Sequence, residues 1–545
     1  MLKIPARAWL LSLVSGGVQV LIFPKPSLYF LCWIALVPLL YALLRGRCGE
    51  GQLLDVEGRS LRPFTLWQGF LLAWFCGIVW YFGTCYWIFN VMNLYGNLDA
   101  VVAALIMVAF CLLMGLHHGL FGMLVVLMAR RSILGNRRPL LLAPFFWVAI
   151  ELLRDRGIGD PWNPLGNSQV GNIPFGRIAE FTGVYGLSFA IVLVNAAFTA
   201  GLLLYGKRRI NLLISAAAAA VALQMGILAK PPQIPATNSA VLLQQNVALD
   251  ENWTPEFFDR TVAEFVQRSM DAVPQDKAQD KVQDKDKVGG NALIVWPESP
   301  TPFSFSDPKL RHWLSEMAKA GSAYLIVGGT ATTEPQGPQA QGQPLNSALV
   351  VDPRGTAIGR YDKIHLVPFG EYVPFQNLLF FANKLTREVG NFAQGTERRV
   401  FDIGGIKTGV FICYESVFSD EVRQFAANGA QLFVNISNDG WYGETSAPFQ
   451  HLDMTRMRAV ENHRWILLST NSGNTVAIDP LGRVVAQVPR NVRTVLTAPY
   501  AAETEVTFYS RHGDIFAWIC VVISCIALFV RTRISASGLL EARST

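Results

Sequence analysis

Long apolar runs occupy both ends of this chain, and a more polar stretch separates them. A membrane-spanning helix needs roughly 20 mostly apolar residues. The runs that approach this length cover residues 7–23, 28–44, 66–89, 98–128, 139–153, 180–205, 210–229 and 513–530. The pattern predicts a polytopic α-helical membrane domain of about eight spans. The fourth run is long enough to be tilted, or broken near Gly115 and Gly119.

The pattern changes between residues 237 and 510, where short apolar runs alternate with amphipathic stretches. Short, continuous apolar runs are typical of strands that are buried on both faces. The predicted strands are 239–246, 291–296, 323–329, 347–352, 407–413, 432–437, 465–470, 475–479 and 484–488. The predicted helices are 254–270, 307–320, 416–428 and 447–463. This alternation favours a layered α/β domain.

The chain therefore divides into three parts. Residues 1–230 are predicted to be a membrane domain with seven transmembrane helices, residues 237–510 a globular domain, and residues 513–531 a C-terminal transmembrane helix. The stretch 273–290, "VPQDKAQDKVQDKDKVGG", carries both charge signs and is interpreted as a solvated loop or helix extension without function. The segment 330–346 is rich in Pro, Gln and Gly and predicts a surface loop.

Composition and charge agree with a membrane protein. The 545 residues are 51% hydrophobic with a mean hydropathy of +0.30, and the net charge is +6. Basic residues mark the cytoplasmic side of a membrane protein. With eight spans, one side collects Lys3, Arg7, Arg45, Arg47, Arg59, Arg62, Arg130, Arg131, Arg137, Arg138, Lys207, Arg208, Arg209, Arg531 and Arg533. Both termini should then be cytoplasmic and the globular domain should face outward. No basic stripe with interleaved aromatic residues indicates nucleic-acid binding.

Cysteine usage singles out one thiol. Of eight cysteines only Cys413 lies within 237–510, so this domain cannot form an internal disulfide. A lone thiol in an oxidising compartment is exposed to damage, which favours a chemical role over a structural one. No C-x-x-C or H-E-x-x-H spacing occurs, so neither a metal site nor a cofactor is expected.

Three reactive side chains follow strand ends. Glu298 lies just past one strand in "WPES", Lys363 lies in the turn-rich "YDKIHLVPFGEYVP" after another, and Cys413 begins "CYES" after a third. Ligands of open α/β sheets bind at carboxyl ends of strands. Glu298 could act as the general base, Cys413 as the nucleophile, and Lys363 with the Tyr414 N–H as the oxyanion donors. A following helix 416–428 would help to lower the thiol pKa.

Each of these residues, taken alone, has a plain structural interpretation: a packed cysteine, a surface glutamate and a solvated lysine. Their order and contexts together favour the chemical one. The three motifs resemble the Glu-Lys-Cys triad of the nitrilase (carbon–nitrogen hydrolase) superfamily. With the apolar runs, nearly the whole chain resembles the apolipoprotein N-acyltransferase family.

This resemblance implies a fold and a reaction. The fold would be a nitrilase-like α-β-β-α sandwich joined to the membrane domain. An acyl chain would pass from a phospholipid, usually phosphatidylethanolamine, to the Cys413 thiol. The thioester would then acylate the α-amino group of a diacylglyceryl-cysteine on an apolipoprotein, at the periplasmic face of the bacterial inner membrane. Nothing in the sequence indicates an oligomer, so a monomer is expected.

The resemblance also implies supporting residues. Glu371 in "PFGEYVP" matches a second essential glutamate that would orient Lys363 or stabilise the intermediate. Tyr414 and Glu415 match the signature beside the nucleophile. The remaining matches are Trp253 in "DENWTP" and Asn438, Asp439 and Trp441 in "NISNDGWYG". For these residues local packing or turn chemistry is the alternative.

Other interpretations remain open. The apolar segment 375–385 could be an arm that dips into the membrane interface or an interior helix. A membrane-anchored amidase acting on a small amide would use the same triad. A transporter is disfavoured because the spans contain few acidic residues, Glu151 being the clearest. A papain-like enzyme would need His365 or His451, and neither lies in a matching context. The adjacent His117 and His118 are interpreted as packing residues.

Overall fold

The computed structural model describes residues 3–45, 63–96, 98–129, 138–203, 206–230, 232–273, 292–298, 303–334, 342–372 and 391–541. Contacts divide the chain into two compact units. The helical unit comprises Met1–Phe89, Asp99–Pro231 and His512–Thr545, and the sheet unit comprises Asn90–Leu98 and Pro232–Arg511. The segment 375–385 and almost all of the Q-D-K stretch lie outside the described residues.

The helical unit is built from long apolar helices that coincide with the predicted runs. They are α1 Ala6–Leu21, α2 Val37–Arg45, α3 Leu66–Thr84, α4 Ala100–Ala129, α5 Arg138–Leu153, α6 Val184–Leu203, α7 Gly206–Gln224 and α12 Ile515–Glu541. Within the described residues, five segments are long and apolar enough to cross a membrane, and they fall in α3, α4, α6, α7 with its following turn, and α12. The helices α1, α2 and α5 are shorter, at 16, 9 and 16 residues.

Helix α4 is continuous over 30 residues, so a break near Gly115 or Gly119 was a wrong alternative. Glycine serves another purpose here. A Cβ atom added to Gly122 would collide with the Ala73 side chain and lie 2.6 Å from the Gly69 carbonyl oxygen. Small residues allow helix backbones to approach closely where lipid removes the hydrophobic drive for association. The glycines of α4 therefore hold it against α3.

Several polar groups buried in the helical unit contact one another. The Arg154 guanidinium donates to the Tyr81 hydroxyl at 3.0 Å, and Glu151 accepts from Trp147 Nε1 at 2.9 Å. His117 Nδ1 contacts its own helix at the Met114 carbonyl, whereas His118 Nε2 lies 3.4 Å from Gln19 Oε1 on α1. The two histidines thus point different ways, as a packing role predicts.

The sheet unit contains two six-stranded sheets. The first has the order β12-β1-β2-β3-β4-β5 and the second the order β11-β10-β9-β8-β7-β6. The strands are β1 Asn238–Gln244, β2 Ala292–Trp296, β3 Ala323–Thr332, β4 Pro344–Val351, β5 Ala357–Asp362, β6 Val400–Ile403, β7 Ile406–Ile412, β8 Leu432–Ser437, β9 Ile466–Thr470, β10 Val476–Ile478, β11 Val484–Gln487 and β12 Thr494–Tyr500. The central pairs β1–β2–β3 and β7–β8–β9 are parallel.

Helices cover the outer faces of both sheets. They are α8 Pro255–Asp271, α9 Pro308–Gly321, α10 Ser419–Ala427 and α11 Ala447–Asn462. One apolar core lies between the sheets and includes Leu242, Val295 and Ile412, and a second joins α8 and α9 to the first sheet. The layering confirms the predicted α-β-β-α sandwich.

Local differences from the predicted strands have physical causes. Strands β6 and β12 lie outside the predicted runs. For β5 the sequence predicted only that a strand precedes the turn-rich segment that contains Lys363. Strand β6 has four residues, and β12 contains Pro499, which an edge strand tolerates. The predicted loop 330–346 is strand at both ends, because β3 runs to Thr332 and β4 begins at Pro344.

Candidate active site

The three predicted reactive residues follow strand ends in the sheet unit. Glu298 lies two residues beyond β2, Lys363 directly follows β5, and Cys413 directly follows β7. All three are nearly buried, with exposed fractions of 8%, 1% and 6%. Lys363 contacts Glu298, and the charges of both act on the Cys413 thiol, so the three share one desolvated site, where electrostatic interactions are stronger than in water.

An ammonium and an amide join two carboxylates at this site. Lys363 Nζ lies 2.9 Å from Glu371 Oε1 and 3.4 Å from Glu298 Oε1. Asn346 Nδ2 donates to the same two oxygens, at 2.6 Å to Glu371 and 2.7 Å to Glu298. The second oxygen of Glu371 accepts from the Val367 N–H at 2.7 Å. Glu371 thus contacts Lys363 directly, which is the geometry needed for the first of its two predicted roles, orientation of the lysine.

The path of the chain after β2 determines where Glu298 lies. Register places Trp296 opposite Val327, and the following residues cross over Gly328 on β3. A Cβ atom on Gly328 would collide with the Pro297 carbonyl oxygen and lie 2.8 Å from the Glu298 Cα. The absence of a side chain at residue 328 therefore allows Glu298 to reach Asn346 and Lys363.

Replacing Gly328 with alanine is expected to displace Glu298. Because the colliding atoms are backbone, relief requires a shift of the main chain, and such overpacking costs about 1–3 kcal/mol. We expect lower thermal stability together with a loss of activity. Alanine at Gly171, where an added Cβ meets no atom within 4 Å, is the matched control. Full activity of Gly328→Ala would contradict this account of Glu298.

The charges around Lys363 keep it protonated. Burial lowers its pKa, but the Glu298 and Glu371 carboxylates together raise it well above the ordinary value. At neutral pH Lys363 is therefore an ammonium that can donate hydrogen bonds and cannot act as a base. Glu298 Oε1 already accepts from Lys363 and Asn346, and among the described residues no contact to Oε2 is found. Oε2 is the oxygen left to receive a proton.

Cys413 has a backbone conformation that residues other than glycine rarely adopt. Its φ is +51°, in the left-handed region, which costs an L-residue roughly 1–2 kcal/mol. Its carbonyl oxygen contacts His451 Nε2 at 3.1 Å and Asn435 Nδ2 at 3.4 Å. Strain that surrounding contacts hold in place is common at active sites. The predicted nucleophile is thus held in a strained turn.

Burial, and next the Glu298 charge, raise the pKa of the Cys413 thiol, whereas the Lys363 ammonium lowers it by less. The sequence-based expectation of a lowered pKa is therefore wrong for the resting protein. The helix that was expected to lower the thiol pKa also begins later than predicted: a 3₁₀ turn covers Cys413–Val417, and the helix begins only at Ser419. The thiol rests protonated, so attack requires a base.

Glu415 fastens the nucleophile turn to the lysine loop. Its Oε2 accepts from the Ile412 N–H at 2.7 Å, and its Oε1 accepts from the N–H groups of Ile364 and His365 and from the Tyr361 hydroxyl, at 2.6, 3.1 and 2.8 Å. Burial raises the pKa of this carboxyl to about 7, against the hydrogen bonds, which lower it. Glu415 thus has a structural role, because it ties the turn that contains Cys413 to the loop that contains Lys363.

Three of the predicted supporting residues, Tyr414, Asn438 and Trp441, make local packing or turn contacts. Half-buried Tyr414 packs edge-on against Phe418, with ring centroids 5.1 Å apart. Asn438 is buried, and its Oδ1 accepts from the Gly440 N–H at 3.3 Å, which is the turn chemistry considered as the alternative. Trp441 is 43% exposed and contacts Tyr95, with centroids 5.7 Å apart.

The ring contacts of Trp253 lie at the start of α8. It precedes the N-cap Thr254 of α8 and packs against Phe257 and Phe258, with centroids 5.0 and 6.2 Å apart. An apolar residue before the cap that contacts the fourth helical residue is a hydrophobic staple. The contacts found for Trp253 are therefore those of a helix start.

Sequence reasoning missed Asn346 and the scaffold use of His451. Asn346 lies on β4 in an unremarkable "PLNS", and only pairing of β4 with β3 and β5 brings it beside the carboxylates. His451 contacts the Cys413 carbonyl oxygen rather than belonging to a papain-like pair. His365 Nε2 lies 3.0 Å from Glu421 Oε2. No short sequence motif marks the contacts of His451 or those of His365.

Comparison with known proteins identifies two matching family descriptions. Residues 15–197 match the apolipoprotein N-acyltransferase N-terminal domain, and residues 259–506 match the carbon–nitrogen hydrolase family. The match to a solved amidase from Nesterenkonia sp. covers 51% of this chain and 94% of the amidase chain, at 20% identity and a TM-score of 0.35.

Two curated relatives extend over most of the sequence. Apolipoprotein N-acyltransferase of Bradyrhizobium diazoefficiens is 30% identical over 410 residues, which are 73% of this chain and 74% of the relative. That of Geobacter metallireducens is 34% identical over 528 residues, which are 95% of this chain and 94% of the relative. On this similarity, the chain belongs to the apolipoprotein N-acyltransferase family.

Proposed function

We propose that this protein is a membrane acyltransferase that moves an acyl chain from a phospholipid to the N-terminal amine of an S-diacylglyceryl-cysteine on apolipoproteins. A thioester on Cys413 would link the two halves of the reaction. The observation that carries this proposal is the buried arrangement of Glu298, Lys363 and Glu371 beside a cysteine held in a left-handed turn.

In the first half-reaction, Glu298 Oε2 accepts the thiol proton as Cys413 Sγ attacks the ester carbonyl carbon. Lys363 Nζ and the Tyr414 N–H stabilise the negative charge that develops on the carbonyl oxygen. The C–O bond of the ester then breaks. The leaving alkoxide takes the proton from Glu298, which releases a lysophospholipid and leaves an acyl thioester.

In the second half-reaction, the neutral amine of the diacylglyceryl-cysteine attacks the thioester carbon. Glu298 removes a proton from the attacking nitrogen, and the C–S bond breaks. The thiolate regains the proton from Glu298, so the resting state with a protonated thiol is restored. Dividing an ester-to-amide exchange into two easier steps is the purpose of a covalent intermediate.

The proposal extends to the donor and to location. Phosphatidylethanolamine is the proposed acyl donor, and the protein is proposed to act as a monomer. The seven helical runs before residue 230 and the one at 513–531 would span the bacterial inner membrane, and the domain 237–510 would face the periplasm. The basic residues that alternate between loops support this orientation.

Purified protein in lipid nanodiscs tests the reaction directly. Phosphatidylethanolamine labelled in its sn-1 acyl chain is supplied first, and the peptide containing Cys413 is analysed by mass spectrometry. A diacylated lipopeptide is then added. We expect a labelled thioester that disappears as labelled N-acyl lipopeptide forms.

The same preparation tests the amidase alternative. Small amides are supplied without lipid substrates, and released ammonia is measured. Ammonia release without any labelled thioester would overturn the acyltransferase assignment and favour a hydrolase that uses the same three residues.

A further inference from the structure

The side chain of His451, on α11, contacts the backbone of Cys413. The imidazole is fully buried, with Nε2 3.1 Å from the Cys413 carbonyl oxygen and Nδ1 3.1 Å from Asp439 Oδ1. Nε2 also lies 2.8 Å from Ser416 Oγ, which in turn contacts Thr455 Oγ1 at 3.0 Å. Two polar atoms that belong to the nucleophile turn therefore converge on one ring nitrogen.

The partners of the ring determine its protonation. A carbonyl oxygen and a carboxylate oxygen can only accept hydrogen bonds. Nε2 faces the Cys413 carbonyl and Nδ1 faces Asp439, so both nitrogens must carry hydrogen for both contacts to be hydrogen bonds. The hydroxyls of Ser416 and Thr455 can donate or accept, and they fit either form. An imidazolium therefore satisfies all of these contacts, whereas a neutral ring protonated on Nδ1 would accept from Ser416 Oγ at 2.8 Å and leave the Cys413 carbonyl without this hydrogen bond.

The charges that face His451 agree with this accounting. Burial lowers its pKa, but Asp439, from the turn before α11, and more weakly Glu298, from the end of β2, raise it above the ordinary value. Asp439 is itself 1% exposed and receives a hydrogen bond from Ser437 Oγ at 3.0 Å. The pair is therefore fixed in place and shielded from solvent.

The contact acts on a residue with a left-handed backbone conformation. Cys413 holds φ at +51°, and its carbonyl has one other side-chain contact, Asn435 Nδ2 at 3.4 Å. Hydrogen bonds from charged donors are roughly twice as strong as those between neutral groups. Of the two side-chain contacts named for this carbonyl, the one from His451 is shorter and, with a protonated ring, charge-assisted.

We infer that His451 is a positioning residue: its Nε2–H holds the Cys413 carbonyl so that the left-handed turn keeps the thiol beside Glu298 and Lys363, and Asp439 holds the ring. The inference rests on the proposed acylation of Cys413. It differs from a papain-like pair, because the ring nitrogen contacts the backbone oxygen of the cysteine and removes no proton from the thiol.

Two amide replacements separate this role from simple packing. The terminal amide nitrogen of His451→Gln can take the place of Nε2 and donate to the Cys413 carbonyl. In His451→Asn the shorter amide takes the place of Nδ1, which preserves the Asp439 contact and loses the donor to Cys413. The exposed His312→Gln on α9 is the control for histidine replacement.

The readout is the single-turnover rate of thioester formation and the KM for phospholipid, measured below each melting temperature. We expect His451→Gln to stay within about tenfold of wild type and His451→Asn to fall roughly 10- to 100-fold further, the usual effect of losing a hydrogen bond to a charged group. KM should not change. Equal rates for the two variants, or a His451→Asn rate like that of wild type, would overturn the inference.

Small-molecule rescue covers the case in which either variant fails to fold. His451→Gly is prepared with added imidazole or 1-methylimidazole. Imidazolium has two N–H groups and should restore acylation, whereas protonated 1-methylimidazole has one and should restore less. Equal rescue would count against the inference. Failure of wild type to form a thioester would instead refute the proposed function, which keeps the two outcomes distinct.

Discussion

Replacing Cys413 with alanine is expected to abolish both thioester formation and transfer of the acyl chain to the lipopeptide. The Cys413 thiol interacts with both Glu298 and Lys363, and loss of a nucleophile from a catalytic set costs on the order of 10⁶-fold in kcat. Labelled phospholipid should leave no acyl group on the variant. The measurement is mass spectrometry of the peptide that spans residue 413.

Cys413→Ser should retain little activity, because a hydroxyl is far less acidic than the thiol that Glu298 must deprotonate. The control is Cys525→Ala, which removes an exposed cysteine on α12 and should behave like wild type. Both Cys413 variants should insert and melt like wild type, since the side chain differs by one atom or is merely truncated. Wild-type transfer by Cys413→Ala would exclude the thioester route.

Replacing Lys363 with methionine is expected to remove activity and to destabilise the sheet unit. The methionine side chain is similar in length but uncharged, so Glu298 and Glu371 would share Asn346 without a cation. Breaking a buried ion pair by removing one partner costs about 3–5 kcal/mol. Lys363 is 1% exposed, so water cannot compensate. Denaturant unfolding of the purified variant measures the loss.

Two further variants separate charge balance from catalysis. The double variant Lys363→Met with Glu371→Gln removes one carboxylate as well, and it should regain part of the lost stability while remaining inactive. Glu298→Gln keeps the Lys363–Glu371 pair intact, so it should fold like wild type and lose roughly 10²–10⁴-fold in rate, as expected for loss of a general base. An active Glu298→Gln would remove Glu298 from the mechanism.

The sequence by itself was enough to predict the layered fold and to select the candidate reactive residues. Apolar runs predicted the long helices because their length and composition are local properties of the chain. Short buried strands that alternate with helices predicted a layered α/β domain, and the family resemblance implied its α-β-β-α form. Glu298, Lys363 and Cys413 were selected as candidates because each stands in a distinctive motif at a strand end.

The tertiary structure alone decided how those residues are held. Asn346 joins the two carboxylates only because β4 pairs between β3 and β5. The helix after Cys413 begins later than expected, and burial raises the thiol pKa, since desolvation depends on what packs around the sulfur.

The left-handed turn at Cys413 and its contact with His451, 38 residues further along the chain, were decided in the same way. Helix and strand patterns report periodic burial along one segment. Hydrogen bonds between distant segments, and the strain and pKa values that they control, leave no such period, so they emerge only when the two sheets and their covering helices pack together.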